Sequence, residues 1–345
     1  MDSFEIPNQR LLILPGKEYQ TFSIYELDSL DSPPTICPYP IPSQWYAPFM
    51  SMVASCESYL LIGCGYTDLE GLILVNPTTR IYRVLPKAYV PSFCDYVHYG
   101  MSEINDDVKI ARFVQNEKRE VIVYSLTTNS WKPIECEPAT NESLDTPVLV
   151  QNHLLVMLCY SSGRMTRIGC FDMKAERWSN DVLLSDILLG EIGSTPTRDG
   201  HCHLGVLEGQ LRFSCYDMKK STYSVWVMKD FGVKESWFKL MSLPRQRLKG
   251  VYYPIAYRKG SSDELLCIPK YSGKYFWYNI RDKQFTETGI DGDGLNTSNF
   301  SFAFICKRSL LNFPGGLPIR SSSKVREVDD DDDDDGCVYS DSEWL

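Results

Sequence analysis

Histidine is scarce in this chain: four occur in 345 residues, at His98, His153, His201 and His203. His201 and His203 alternate along a strand-like run and so share a face, but no third ligand stands close by, which argues against a metal centre. The twelve cysteines include no Cys-x-x-Cys pair and are scattered singly, so neither a zinc spacing nor a disulfide framework is indicated. Most lie in apolar runs, such as Cys159 in LLVMLCY and Cys306 in FAFICK, where a free thiol acts as a small hydrophobe in a reducing compartment. No apolar run approaches the ~20 residues that a membrane helix needs. The opening residues MDSFEIPNQR are polar and acidic, unlike a secretory signal. Glycine-rich nucleotide motifs, the H-E-x-x-H zinc motif and the G-x-S-x-G elbow are also missing. Together these absences predict a soluble protein of the cytoplasm or nucleus, not an enzyme, with no catalytic, metal or cofactor residues to name and no membrane partner.

What is abundant is aromatic and strand-forming. The 21 Tyr, 15 Phe and 7 Trp favour strands, because flat side chains fit a half-buried pleated surface. The net charge of −10 is unevenly placed: ten acids and two bases fall in residues 324–345, so that segment carries −8 and leaves −2 for the body. A nearly neutral body with an acidic end makes nucleic acid a poor partner.

One pattern recurs along the body. An apolar strand ends in an aromatic or Val, a polar turn follows, and a large aromatic returns seven positions on. It reads VNPTTRIY at 75–82, YSLTTNSW at 124–131, FDMKAERW at 171–178 and YNIRDKQF at 278–285. A longer version, VMKDFGVKESW, occupies 227–237, and a degenerate copy, TFSIYELDSLD, occupies 21–31. The spacing is close to fifty residues. Between copies lie further strand-like runs, including YLLIGCG at 59–65, HLLVMLCY at 153–160, HLGVLEGQLRFSCY at 203–216 and ELLCIPK at 264–270. About four strands per fifty residues cannot bury both faces alone, so the units must stack. The expected fold is an all-β propeller with a kelch-like period and about six four-stranded blades, five or seven remaining open. Two β-sandwiches are the alternative, but they do not account for one even period. Pairing NFSFAFIC (299–306) with RLLILP (10–15) in one blade would fasten the ring. From 314 to 345 the chain turns Pro/Gly/Ser-rich and then acidic, with seven aspartates at 329–335, and is expected to be disordered. The propeller domain is therefore 1–313 and the tail 314–345.

Paired carboxylates at Asp106 and Asp107, and at Asp291 and Asp293, fit hairpin turns better than a calcium loop or an acid–base pair. The stretch PRQRLKGVYYPIAYRKG (244–260) mixes five bases with tyrosines. Arg245, Arg247, Lys249, Tyr252 and Tyr253 are its candidate partner contacts, toward an acidic protein surface, a phosphate backbone or the chain's own aspartates; an exposed connection with buried tyrosines is the plainer account. Ser340 and Ser342 lie among acids, where phosphorylation would deepen the charge.

WVMKDFGVKESWFKL (226–240) resembles the hallmark of the plant F-box-associated domain. VNPTTRIYRVLP (75–86), YGMSEINDDVKIARF (99–113), VIVYSLTTNSWKPI (121–134) and IGCFDMKAERW (168–178) are similar to further segments of that family, in its order, with Val108 where Tyr is usual. The resemblance covers about residues 10–312 and extends to S-locus F-box proteins as a subgroup. It implies a β domain that captures a target protein for a Skp–cullin–F-box ubiquitin ligase. In such proteins a preceding helical F-box holds the Skp-type adaptor. Residues 1–20 already read as the strand that follows it, so adaptor binding is expected only if an F-box lies upstream. The motif residues Asn76, Pro77, Trp131, Trp178, Trp226, Gly232, Glu235, Ser236 and Trp237 read as structural. The expected function is substrate recognition, the alternative is a scaffold or decoy without a ligase role, and a propeller enzyme comes last. The target is unidentified, and its contacts are expected on the loops at 86–99, 137–147, 185–201 and 244–260.

Overall fold

Alternating apolar residues and tight polar turns give, among the described residues, 24 strands before the ring closes. The structure is a computed structural model that describes residues 10–15, 21–40, 50–64, 71–88, 96–115, 119–134, 142–144, 146–160, 165–192, 202–217, 221–244, 252–269, 274–291 and 303–319. Blade 1 contains β1 (Arg10–Pro15), β2 (Thr21–Glu26) and β3 (Thr35–Pro38). Blade 2 is β4 (Met50–Cys56), β5 (Tyr59–Cys64), β6 (Gly71–Asn76) and β7 (Ile81–Val84). Blade 3 is β8 (Tyr96–Ile104), β9 (Asp107–Gln115), β10 (Arg119–Ser125) and β11 (Ser130–Ile134). In blade 4, β12 (Glu142–Leu144) and β13 (Val148–Val150) both pair with β14 (His153–Tyr160), followed by β15 (Met165–Asp172) and β16 (Arg177–Val182). Pro147, which has no amide to donate, lies where that split innermost strand is interrupted. Blade 5 is β17 (Cys202–Leu207), β18 (Gln210–Asp217), β19 (Thr222–Met228) and β20 (Trp237–Pro244). Blade 6 is β21 (Tyr252–Tyr257), β22 (Glu264–Pro269), β23 (Lys274–Asn279) and β24 (Gln284–Asp291). All pairings are antiparallel, and innermost strands lie side by side around the ring: β4 by β8, β8 by β13, β13 by β17, β17 by β21. The result is the expected propeller, with six blades.

The recurring eight-residue pattern is the hairpin between the third and fourth strands of a blade, and its spacing has a physical cause. Its second residue is an acceptor for the turn: Asn76 Oδ1 takes the amides of Thr78 (2.9 Å) and Thr79 (3.2 Å), Asp172 those of Lys174 and Ala175, and Asn279 those of Arg281 and Asp282. Its sixth residue has left-handed backbone, at Arg80, Asn129, Glu176 and Lys283. In the copies that end in Trp, that residue reaches the preceding blade. Trp131 Nε1 donates to the Pro86 carbonyl (2.8 Å), Trp237 Nε1 to that of Leu183 (3.0 Å), and Trp178 packs against Phe113 with centroids 5.8 Å apart. The repeat therefore encodes both the turn and the joint between neighbours.

The core is a set of layers between blades. Leu11, Phe22, Leu60 and Ile73 fill the layer between blades 1 and 2, and Phe113, Leu154 and Phe171 the one between blades 3 and 4. Seven described cysteines are buried within these layers, and burial pushes the thiols of Cys267 and Cys306 up to about 12.

Closure follows the expected pairing. Strand β25 (Phe304–Lys307) takes the innermost place in blade 1, with Cys306 opposite Leu11 and Phe304 opposite Ile13. The Lys307 amide donates to the Glu57 carbonyl and its ammonium pairs with the Glu57 carboxylate at 2.7 Å, tying β25 to the first hairpin of blade 2.

The expected boundary at 314 needs correction. Residues 308–319 run as a strap along blade 2 and end in β26 (Leu317–Pro318), which pairs with Tyr82 and Ile81 of β7. Fully buried Asn76 donates from Nδ2 to the carbonyls of Ser309 (3.1 Å) and Leu311 (2.7 Å). Thr79 Oγ1 donates to Asn312 (2.7 Å), and Arg83 to the Pro314 carbonyl (3.0 Å). The glycines that suggested a tail serve the strap: Gly315 has φ +71°, and a Cβ on Gly316 would stand 2.3 Å from Ile81 Cγ2. The acidic segment 320–345, with Ser340 and Ser342, lies outside the described residues.

Candidate partner-binding face

An antiparallel meander puts its first and third turns at one end and its second turn and blade-to-blade connections at the other. The first end is built tightly. Two-residue turns at Asn105 and Asp106, Gln151 and Asn152, and Glu208 and Gly209 all have positive φ, matching the twist of the hairpins they close. Asp107 accepts from Ser125 Oγ (2.7 Å) and the Thr127 amide (2.9 Å), so the carboxylate pair there is turn chemistry, as its composition suggested. Near the closing blade a cavity of about 440 Å³ is edged by Arg10, Glu208, Tyr257 and Lys307. Arg10 bridges three blades through Glu208, Asp28 and the Tyr257 carbonyl.

The second end carries the blade-to-blade connections, to which the expected contact loops at 86–99, 137–147 and 185–201 belong, whereas 244–260 runs on through β21 to the first end. Much of them, including Arg245, Arg247 and Lys249, lies outside the described residues, as do His201 and Asp293. Tyr252 is placed on β21. Tyr253 needs correction as a surface contact: it is 6% exposed, and its ring stacks on His203 at 4.1 Å. It is the second residue of an innermost strand and faces the adjoining innermost strand, so it is a wall and not a loop tip.

Behind that stack sits Arg212, which sequence reading missed. It is 2% exposed on β18, directly across from Gly205 of β17. A Cβ on Gly205 would fall 1.8 Å from Arg212 Nη2, so the guanidinium occupies the side-chain space of the innermost strand. Nη2 lies 3.2 Å from His203 Nδ1, Nη1 lies 3.3 Å from Ser214 Oγ, and the head stands 5.3 Å from the Tyr253 ring centre. A guanidinium only donates, so His203 Nδ1 accepts and the imidazole carries its proton on Nε2. Burial lowers the Arg212 pKa, and burial raises that of nearby Tyr223 well above its usual value. The two-residue turn at Glu208 and Gly209 fixes Gly205 opposite Arg212, so an arginine within the apolar run LEGQLRFSC was the available signal. His203 thus contacts a cation, and no group of three metal-ligating side chains forms among the described residues.

A second exposed feature lies between blades 4 and 5. The all-β expectation omits helix α1 (Asp186–Ile192), a short turn capped by Ser185 Oγ on the Leu188 amide (3.3 Å). Leu188 is buried, whereas Leu183, Ile187 and Leu189 are 60%, 71% and 48% exposed. Lys234 pairs with Asp186 at 2.8 Å and brings exposed Val233 alongside. The hallmark segment frames this ridge. Gly232 has φ +81°, and Ser236 Oγ takes the Asp230 amide at 3.1 Å and lies 2.7 Å from the Val233 carbonyl. Glu235 is exposed, Trp237 is buried, and buried Trp226 lies under the Lys239 ammonium at 4.9 Å. Pro77 is buried beside Asn76.

Residues 40–307 match the F-box associated beta propeller domain. The chain is 26% identical over 313 residues to F-box protein At4g22390 of Arabidopsis thaliana, covering 78% of this chain and 72% of that one. It is 27% identical over 315 residues to F-box protein CPR1 of the same plant, covering 81% and 72%. Among solved structures, YjhT aligns with a TM-score of 0.45 at 12% identity, over 82% of this chain and 95% of that one.

Proposed function

The chain belongs to the F-box associated beta propeller domain family, and from that premise we propose that its ring captures a target protein for a Skp–cullin–F-box ubiquitin ligase. The carrying observation is the family match over residues 40–307, supported by likeness to two F-box proteins across 72% of their lengths. The capture surface is the end of the ring that bears the long blade-to-blade connections, together with the apolar ridge at α1. The ring works without catalysis: the target is bound, and ubiquitin transfer belongs to the rest of the ligase. Contact with a Skp-type adaptor is the task of an F-box segment and not of the blades.

Proximity labelling around the intact protein, with and without a block on cullin activation, tests this. Labelled proteins that accumulate and lose ubiquitin under the block are the expected outcome. A labelled set unchanged in abundance and ubiquitin would replace this reading with that of a scaffold or decoy.

A further inference from the structure

Arg212 is a buried cation whose neighbours do not use it fully. Among the described residues its Nε has no hydrogen-bond acceptor, and its other two contacts, at 3.2 and 3.3 Å, are long for hydrogen bonds. No carboxylate pairs with it among the described residues; phenols, a thiol, an imidazole and a hydroxyl surround it instead. Buried charges are ordinarily paired, because desolvation penalises an isolated ion heavily. Nor does packing require an arginine: Leu207, Val225 and Val227 fill the same layer, and Gly205 is needed to admit the guanidinium. The part-buried His203 ring, one residue inside the start of an innermost strand and so toward the mouth of the ring's centre, lies against Arg212, with the Tyr253 ring beside both.

We propose that Arg212 is the anchor of an anion site at that mouth, and that its ligand is a carboxylate. A single guanidinium with no second cation beside it among the described residues suits a monoanion better than a phosphate dianion, which would need further positive donors. The carboxylate accepts from Arg212 as the His203 ring gives up its contact to Nη2, and the buried charge gains the partner it lacks. That the carboxylate is an Asp or Glu side chain of a captured protein rests on the ligase reading; that the site takes a carboxylate does not.

The test is the Nε–H resonance of Arg212 in the full chain, identified by its loss in Arg212→Met or, if that variant does not fold, in Arg212→Lys. Titration with sodium acetate is expected to move the signal downfield to saturation, with sodium chloride at equal ionic strength leaving it in place. A short peptide carrying one Glu is expected to saturate at a concentration at least tenfold lower than its Gln counterpart, which assigns the natural source to protein side chains. Equal effect of the two peptides, with acetate still saturating, assigns it to small carboxylates and keeps the site. A signal that acetate leaves unmoved, or that chloride moves equally, overturns the proposal whatever the fate of the ligase reading.

Discussion

The seam of the ring and the junction of blades 5 and 6 are both buried and both contain polar side chains, yet they are finished to different standards. At the seam, Asn76 makes four hydrogen bonds, two to its own turn and two to the strap, and backbone pairing joins β25 to β1 and β26 to β7. At the other junction, Arg212 has a donor with no acceptor among the described residues and two long contacts. A polar group whose every lone pair and proton is used fixes a structure; one left short is available to something else. The family motif at Asn76 therefore belongs to architecture, while Arg212, outside any motif, is the better mark of a binding task.

That contrast can be broken by mutation. Asn76→Ala should cost about 3 kcal/mol in denaturant unfolding, since it removes four hydrogen bonds to part-buried backbone groups of strap and turn; a loss below about 1 kcal/mol would deny the strap its role. Trp237→Phe keeps the packing but drops the bond to Leu183, and about 1 kcal/mol is expected from the same measurement. Glu176 is held down in pKa by hydrogen bonds from Lys109 and Lys132 of blade 3, so its stabilisation is present above the ordinary carboxylate range and is lost as pH falls through and below it. Glu176→Gln should accordingly lower stability by up to about 1 kcal/mol near pH 7 and have no effect near pH 2, read from unfolding at both pH values. Arg212→Met should change stability least, by about zero or slightly upward, because an underpaired buried charge gives way to an apolar chain. A large loss there would place Arg212 with Asn76 as architecture.

The sequence displays the ring because the ring's rules are local. An acceptor, a left-handed residue and an aromatic at fixed offsets define each outer hairpin, and their return every fifty residues counts the blades. What stays hidden depends on partners far along the chain. FPGGLPI reads as a tail until Arg80, Tyr82 and Arg83, more than 230 residues earlier, supply its pairing and hydrogen bonds. Tyr253 reads as a contact until His203 covers it. Helix α1 is a capped helix of seven residues within a connection, too short for periodicity to reveal.

Closing blade 1 with β25 also sets a timetable. During synthesis β1 is made before the other strands of the ring, but its innermost neighbour is made only after blade 6. At roughly 5–20 residues per second, the ribosome leaves that strand edge waiting for tens of seconds. An unpaired apolar edge is a template for the wrong strand. Production of this protein should therefore be limited by how well the nascent chain is shielded before its last blade arrives.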